Sequence, residues 1–505
     1  MKRLNFTVKT RRRGDLENTR FSFLRFQILL LSLCLGLSAV NISAQIETPP
    51  APAAPKSGVI PAVKEKKLPN GLTIAVVEKH TLPIVTVQLL VKNGASVEGE
   101  DKAGLADLTA SMLTKGTKTR TATQIAEQIE FLGGSINSGA GWNNSTVTIS
   151  VTSDKLDKAM AIMADVVLNP AFDQKELDLL KLQTLDGLTY NLKQPSFLAN
   201  YVASKYSFGE HPAGGTPESI TKISQSDISA FHARNFTAGN SVIIFTGDIS
   251  SATAEKLTAK YLGSLSRERP GRSGPGTVPT VGRQSQTIKR IMVVNLPNAG
   301  QASVNYAKGI TGNGRGGIQY YPSIVLNSLL GGGYSSRLNQ EIRIKRGLSY
   351  GANSGFAWRD DRSNFSARAQ TKNESAAQVA ELVLIEVKRL TDNTTPNTEL
   401  TPRKSVLTGN FGRNLETTGG LTGAVTDLYS FGIPATELNS YSQKVTGITD
   451  KQIRDFAASN LLGGDIIIVG DYAKFKDDLA KRFPNIKVDV IKADELDLSK
   501  GNLRK

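Results

Sequence analysis

Ile223-Ser-Gln-Ser-Asp-Ile228-Ser-Ala-Phe231-His-Ala-Arg-Asn235, followed by the run Ser241-Val-Ile-Ile-Phe-Thr246 and Gly247-Asp248, has a counterpart near the other end of the chain. There Ile448, Ile453, Phe456 and Asn460 repeat the spacing, ahead of Asp465-Ile-Ile-Ile-Val469 and Gly470-Asp471. An amphipathic helix that twice delivers a short apolar strand implies two copies of one unit. Working outward, the helical segment around Leu105 to Gly116 corresponds to the one around Tyr321 to Gly332. The first copy is read over 63–266 and the second over 288–488. Between them lies a linker at 267–287, where Pro270, Gly271, Gly274, Pro275, Gly276, Pro279 and Gly282 crowd together.

Within the first copy, Leu72 to Val77 follows the turn Pro69-Asn70-Gly71 and Ile84 to Val91 follows Pro83, so both read as strands. Leu105, Leu108, Met112 and Leu113 keep a helical period. Thr121 and Gln124 make a capping box for a helix through Ile125, Ile129 and Leu132. Thr146 to Thr152 alternates, with Val147, Ile149 and Val151 on one face, before Leu156, Met160 and Met163 return to the helical period. Hairpin-like strands mixed with helices give an α+β class, each copy a mostly antiparallel sheet packed with helices.

Ahead of the first copy, eight basic residues (Lys2, Arg3, Lys9, Arg11, Arg12, Arg13, Arg20 and Arg25) precede the short apolar run Ile28 to Val40, which ends near Ser43-Ala44. This reads as a signal peptide over 1–44, cut after Ala44, with export to the periplasm or into the medium. The competing reading is an uncleaved anchor. Leu33 before the sole cysteine, Cys34, argues against a lipoprotein signal, and Cys34 leaves with the signal. A Pro/Ala-rich spacer follows at 45–62, and the end of the chain, 489–505, reads as a charged, poorly ordered tail. The formal charge of +16 falls to +10 once the eight basic and two acidic residues of the signal are removed. The rest is scattered, with no dense basic run interleaved with aromatics. Nucleic acid is therefore not the expected partner, and an acidic partner or substrate is favoured.

Asn70-Gly71-Leu72, Lys102-Ala-Gly-Leu-Ala106 and Met112-Leu113-Thr-Lys115-Gly-Thr117 together resemble the opening of peptidases of the M16 (insulinase, mitochondrial processing peptidase-like) family. The resemblance implies two LuxS/M16-like domains. It also implies, between the last two blocks, a helix carrying HxxEH, whose histidines bind zinc and whose Glu is the general base, with a further Glu downstream. The corresponding residues here are Asp107, Leu108, Thr109, Ala110 and Ser111, and the downstream position falls on Gly187. The neighbouring Asp186 would point about 100° away on a helix. Independently of any family, the three histidines, His80, His211 and His232, are nowhere within helical spacing of one another. No metal ligand set is expected in this chain.

Gly331-Gly-Gly-Tyr-Ser-Ser-Arg-Leu338, leading to Arg343-Ile-Lys-Arg-Gly-Leu-Ser-Tyr350, resembles the family segment that carries an Arg/Tyr pair seven residues apart. The resemblance implies that Arg343 and Tyr350 hydrogen-bond substrate near the scissile carbonyl and stabilise the oxyanion in trans. By spacing alone, Arg343 is a solvated helix residue and Tyr350 a strand residue packed on the core. Glu416 to Leu421 resembles another family segment, with Gly419 and Gly420 as candidates for a flexible turn at the substrate chamber or hinge. Its alternative is a helix start. The implied protein is the non-catalytic subunit of a heterodimeric zinc peptidase. It would bind peptide or unfolded polypeptide for a partner chain that carries HxxEH and the zinc. The alternative is a stand-alone peptide-binding or assembly protein.

Overall fold

The computed structural model describes residues 60–267 and 288–505. The signal segment, most of the spacer and nearly all of the linker lie outside the described residues. In chain order the first copy forms β1 (Val63–Lys67), β2 (Thr73–Glu78), β3 (Ile84–Val91), α1 (Leu105–Met112), α2 (Ala122–Phe131), β4 (Ser135–Ala140), β5 (Ser145–Thr152), α3 (Leu156–Leu168), α4 (Gln174–Asn191), α5 (Pro195–Tyr206), α6 (Pro217–Lys222), α7 (Gln225–Asn235), β6 (Ser241–Gly247) and α8 (Ser251–Leu262). The second forms β7 (Ile288–Asn295), β8 (Ala302–Thr311), α9 (Tyr320–Leu330), a π-helical turn (Asn339–Ile344), β9 (Ser349–Trp358), β10 (Arg362–Thr371), α10 (Ala376–Asp392), α11 (Asn397–Leu415), α12 (Thr418–Ser430), α13 (Glu437–Gly447), α14 (Asp450–Asn460), β11 (Gly464–Gly470), α15 (Lys476–Arg482) and β12 (Val488–Lys492). The capping box at Thr121 and Gln124 forms as read, and a matched pair of boxes, Ser224 with Asp227 ahead of α7 and Thr449 with Gln452 ahead of α14, opens the repeated helices.

The duplication is visible in the sheets. Their strand orders are β1-β2-β6-β3-β5-β4 and β12-β7-β11-β8-β10-β9. Exchanging β7 for β2, β11 for β6, β8 for β3, β10 for β5 and β9 for β4 converts one into the other. The copies differ in their outermost strand. β1 runs antiparallel to β2, whereas β12 comes from the C-terminus and runs parallel to β7. This corrects the reading of 489–505 as a loose tail. β12 completes the second sheet, and Leu498 and Leu503 beyond it are buried in a core cluster. The segment is charged in composition, but its few apolar residues are spaced to reach that core.

The two closing strands, β6 and β11, are buried along their whole lengths. Ile243 and Phe245 face the helices of their own copy, whereas Val242 and Ile244 face the opposite side. A strand buried on both faces carries an unbroken apolar run, because neither side of the pleat meets water. The second face of each sheet is covered by a helix from the other copy. Leu421, Val425 and Leu428 of α12 pack on the first sheet, and Leu198 and Val202 of α5 pack on the second. Polar contacts fix this exchange, among them Thr86 Oγ1 to Thr418 Oγ1 (2.9 Å) and Thr246 Oγ1 with Thr422 Oγ1 (2.6 Å). Each copy thus completes the core of the other. No helix among the described residues is long and apolar enough to cross a membrane.

Candidate functional site

Helix α1 carries the positions that a zinc box would occupy. Its N-terminus is held by the buried Glu98, whose carboxylate accepts from Gly104 N (2.8 Å) and Ala106 N (2.7 Å). His211 Nε2 lies 3.0 Å from the same carboxylate, so this histidine supports the cap of the helix. From the side, α1 is tied to the edge strand β4 by the bond from Ser138 Oγ to Ala110 O (2.7 Å). Asp107, Ala110 and Ser111 project at helical spacing. The Asp107 carboxyl is pushed up by burial, with partial relief from the Ala140 backbone amide. Tyr201 on α5 is pushed up to about 12, first by burial and then by the charge of Asp107.

Helix α4 packs beside α1 and carries Gly187, where an added Cβ would meet nothing within 4 Å. The four positions therefore offer one carboxyl, a methyl, a hydroxyl and no side chain at all. Zinc takes three or four Cys, His or carboxylate donors, and this set does not fit it. Among the described residues, no three His, Cys, Asp or Glu side chains converge on a common point. His80 pairs with Asp248, and His232 bonds the Val167 carbonyl.

In the second copy, Arg343 lies on the π-helical turn and Tyr350 on β9, the edge of the second sheet. Tyr350 is 89 % exposed, not packed on the core as its spacing alone suggested. The reason is a bulge. Ala352 pairs with Ala369 and Ser349 with Thr371, so three steps on β9 oppose two on β10. The extra residue re-aims the local side chains, as bulges do at functional edges. Ser349 closes the bulge on itself, its Oγ accepting from Gly351 N (3.1 Å) and donating to Gly351 O (2.7 Å). The Arg343 guanidinium lies 5.0 Å from the Tyr334 ring centroid. Asn339 holds both neighbours of this site, donating to Tyr334 O and accepting from Ala352 N. Two of the three glycines are required by packing, since a Cβ on Gly331 would stand 2.3 Å from the Ser354 amide of β9 and one on Gly332 2.8 Å from Ser328 Cα, whereas Gly333 faces open space.

Gly419 and Gly420 do not form a flexible turn. They occupy the first turn of α12, where Thr417 caps by accepting from Gly420 N (3.0 Å). A Cβ on Gly420 would come within 1.8 Å of Asn414 O, so glycine is required there by the packed joint between α11 and α12. The alternative of a helix start is the one realised.

Arg343 and Tyr350 lie on the second copy and Asp107, Ala110, Ser111 and Gly187 on the first. What does join the copies near the edge strands was not singled out from sequence. Asn143, after β4, donates to Trp358 O at the end of β9 (2.9 Å). Arg359 stacks 4.9 Å from Trp142 and, with Arg362, binds the buried Glu210. The C-terminal ends of the two free edges thus meet at an ionic junction. Glu210 and its two arginines lie in different copies, so their pairing is beyond the reach of local pattern.

Comparisons with known proteins agree with this geometry. Residues 73–204 match the family profile described as insulinase (peptidase family M16), and residues 222–405 match the one described as peptidase M16 inactive domain. An uncharacterized zinc protease of Rickettsia bellii is 28% identical over 332 residues, covering 65% of this chain and 77% of its own. A Helicobacter pylori protein named non-peptidase homolog YmxG is 24% identical over 444 residues, covering 85% of this chain and 93% of its own. The crystal structure of a peptidase M16 inactive domain from Pseudomonas fluorescens superposes with a TM-score of 0.72 at 27% identity, covering 81% of this chain and 98% of that one. With two profiles of one family spanning more than half of the sequence, and a doubled fold shared with its inactive-domain structure, the chain belongs to the insulinase (M16) peptidase family.

Proposed function

We propose that this chain is the non-catalytic subunit of a heterodimeric M16 peptidase, binding and positioning peptide for a partner chain that carries HxxEH. One contrast carries the reading. The zinc-box positions hold Asp107, Ala110, Ser111 and Gly187, while Arg343 and an exposed Tyr350 stand at an edge strand. Beyond the amides taken by Asn339 and Gly331, such an edge offers backbone donors and acceptors to an extended peptide. The guanidinium and phenol beside it offer further donors to a peptide carbonyl. The name of the Helicobacter pylori relative supports a role without peptidase chemistry. The purified chain is expected to hold no stoichiometric zinc by elemental analysis and to leave unstructured peptides intact. Hydrolysis is expected to appear on adding the HxxEH chain. One tightly bound zinc per chain with chelator-sensitive cleavage would sink the proposal. Binding of peptide without any gain of hydrolysis on adding such a partner would instead leave a stand-alone peptide-binding protein.

The chain is further proposed to be exported to the periplasm, on the strength of its basic, apolar and small-residue N-terminal pattern. N-terminal sequencing of the protein from its native cells is expected to begin near Gln45. A full-length chain retained in the membrane fraction would contradict this.

A further inference from the structure

The cations around the Arg343 site are accounted for one by one. Lys345 and Arg346 share Glu341 at 2.5 and 2.6 Å, and Arg337 forms a bidentate pair with Glu399 at 2.8 and 2.7 Å. Arg343 has no carboxylate partner among the described residues, and its guanidinium lies over the Tyr334 ring. That ring is held in place from behind. Asn339 fixes the Tyr334 carbonyl, Arg403 bonds the next carbonyl at Ser335, and Arg337 anchors the loop to α11. Stacking on an aromatic face restrains a planar guanidinium while leaving its N–H edges available. Arg343 is half-buried, so solvent screens it less than a free surface side chain. It stands beside the edge strand β9, where Ala352 N is taken by Asn339 and Ser354 N by the Gly331 carbonyl, and whose bulge projects Tyr350.

We infer that Arg343 is a carboxylate-recognition site, so that the peptides this edge prefers carry an acidic side chain or a free C-terminus next to the segment lying on β9. This inference rests on the peptide-binding reading above and names its substrate class. The chemistry is that of the guanidinium fork. It has five N–H donors, enough to bind a carboxylate bidentately along one edge and still present another donor to a carbonyl. The nearest acid on its own turn, Glu341, is already neutralised by Lys345 and Arg346 and does not compete. The net charge of +10 left without the signal segment adds a long-range attraction of the same sign.

The test uses the purified chain alone and fluorescence anisotropy with three short unstructured peptides of otherwise identical sequence. The first carries an internal Glu and an amidated end. The second replaces that Glu by Gln, and the third is the Gln peptide with a free C-terminal carboxylate. At least one carboxylate peptide is expected to bind about tenfold more tightly than the amidated Gln peptide, the scale of a charge-assisted hydrogen bond at a partly exposed site. Which of the two gains identifies the source of the carboxylate. The preference is expected to shrink with salt, to fall in Arg343→Lys, which keeps the charge without the fork, and to vanish in Arg343→Ala. Arg343→Ala also loses a donor to the peptide carbonyl and weakens the amidated Gln peptide, so the readout is the ratio of carboxylate to amidated peptide affinity, which is expected to fall to about one. Equal binding of all three peptides, or a preference that survives Arg343→Ala, overturns the carboxylate assignment and leaves the peptide-binding reading standing. Failure to bind any of the three overturns both.

Discussion

Arg343→Ala and Tyr350→Phe are each expected to lower turnover of the reconstituted heterodimer by roughly 10²–10³, while the two chains still elute together on size exclusion. The magnitude is that of losing one well-placed donor to a developing oxyanion. The structure makes the separation of activity from folding clean. Tyr350 is 89 % exposed, and its ring contributes nothing to the buried core. Replacing its hydroxyl should therefore change stability by less than about 0.5 kcal/mol. Arg343 makes no ion pair among the described residues, so its removal strands no buried carboxylate. A role confined to ground-state anchoring would raise KM and leave kcat alone, and that split is read from the same titrations. Unchanged turnover in both variants would reject the transferred role. For Arg343→Ala, peptides with a carboxylate should show an additional rise in KM that peptides without one do not.

The second large effect is expected at the junction between the copies. Glu210→Ala should destabilise the chain by about 3–5 kcal/mol, because it leaves two largely buried guanidiniums, Arg359 and Arg362, without their shared carboxylate. Among the described residues, Arg362 Nε has no partner even with Glu210 in place, so the arginine is already incompletely satisfied. Burial pushes the Glu210 carboxyl up, but the bond and charge of Arg359, with Asn364 and Arg362, outweigh it and hold the group below its ordinary range. The sign of the pH effect follows. The folded pKa is depressed, so the stabilisation is fully present above the ordinary carboxylate pKa. It is lost as pH falls through the lowered value, where the folded state must take up the proton. Denaturant unfolding at neutral and acid pH should show the gap between wild type and variant closing with acidification. A variant as stable as wild type at neutral pH would show that the junction is held by other contacts.

The sequence alone determined the duplication, the two closing strands, the capping box at Thr121 and Gln124, and which residues stand at the zinc-box positions, Asp107, Ala110, Ser111 and Gly187. Each of these is local. A strand buried on both faces must be apolar throughout, a capping box needs only residues three apart, and a ligand set on one helix is legible at a spacing of three and four. The tertiary structure decided what covers those strands, because α5 and α12 carry apolar stripes that fit their own sheet and the other copy's equally well by pattern. Chain connectivity across the two copies selects the exchange. It also decided that Gly419 and Gly420 begin a packed helix, that β12 is a strand, and that Tyr350 faces water. The last depends on a single extra residue in β9, visible only when the register against β10 is counted. The ionic junction was hidden for the same reason, since Glu210 and its two arginines lie in different copies and meet only after both have folded.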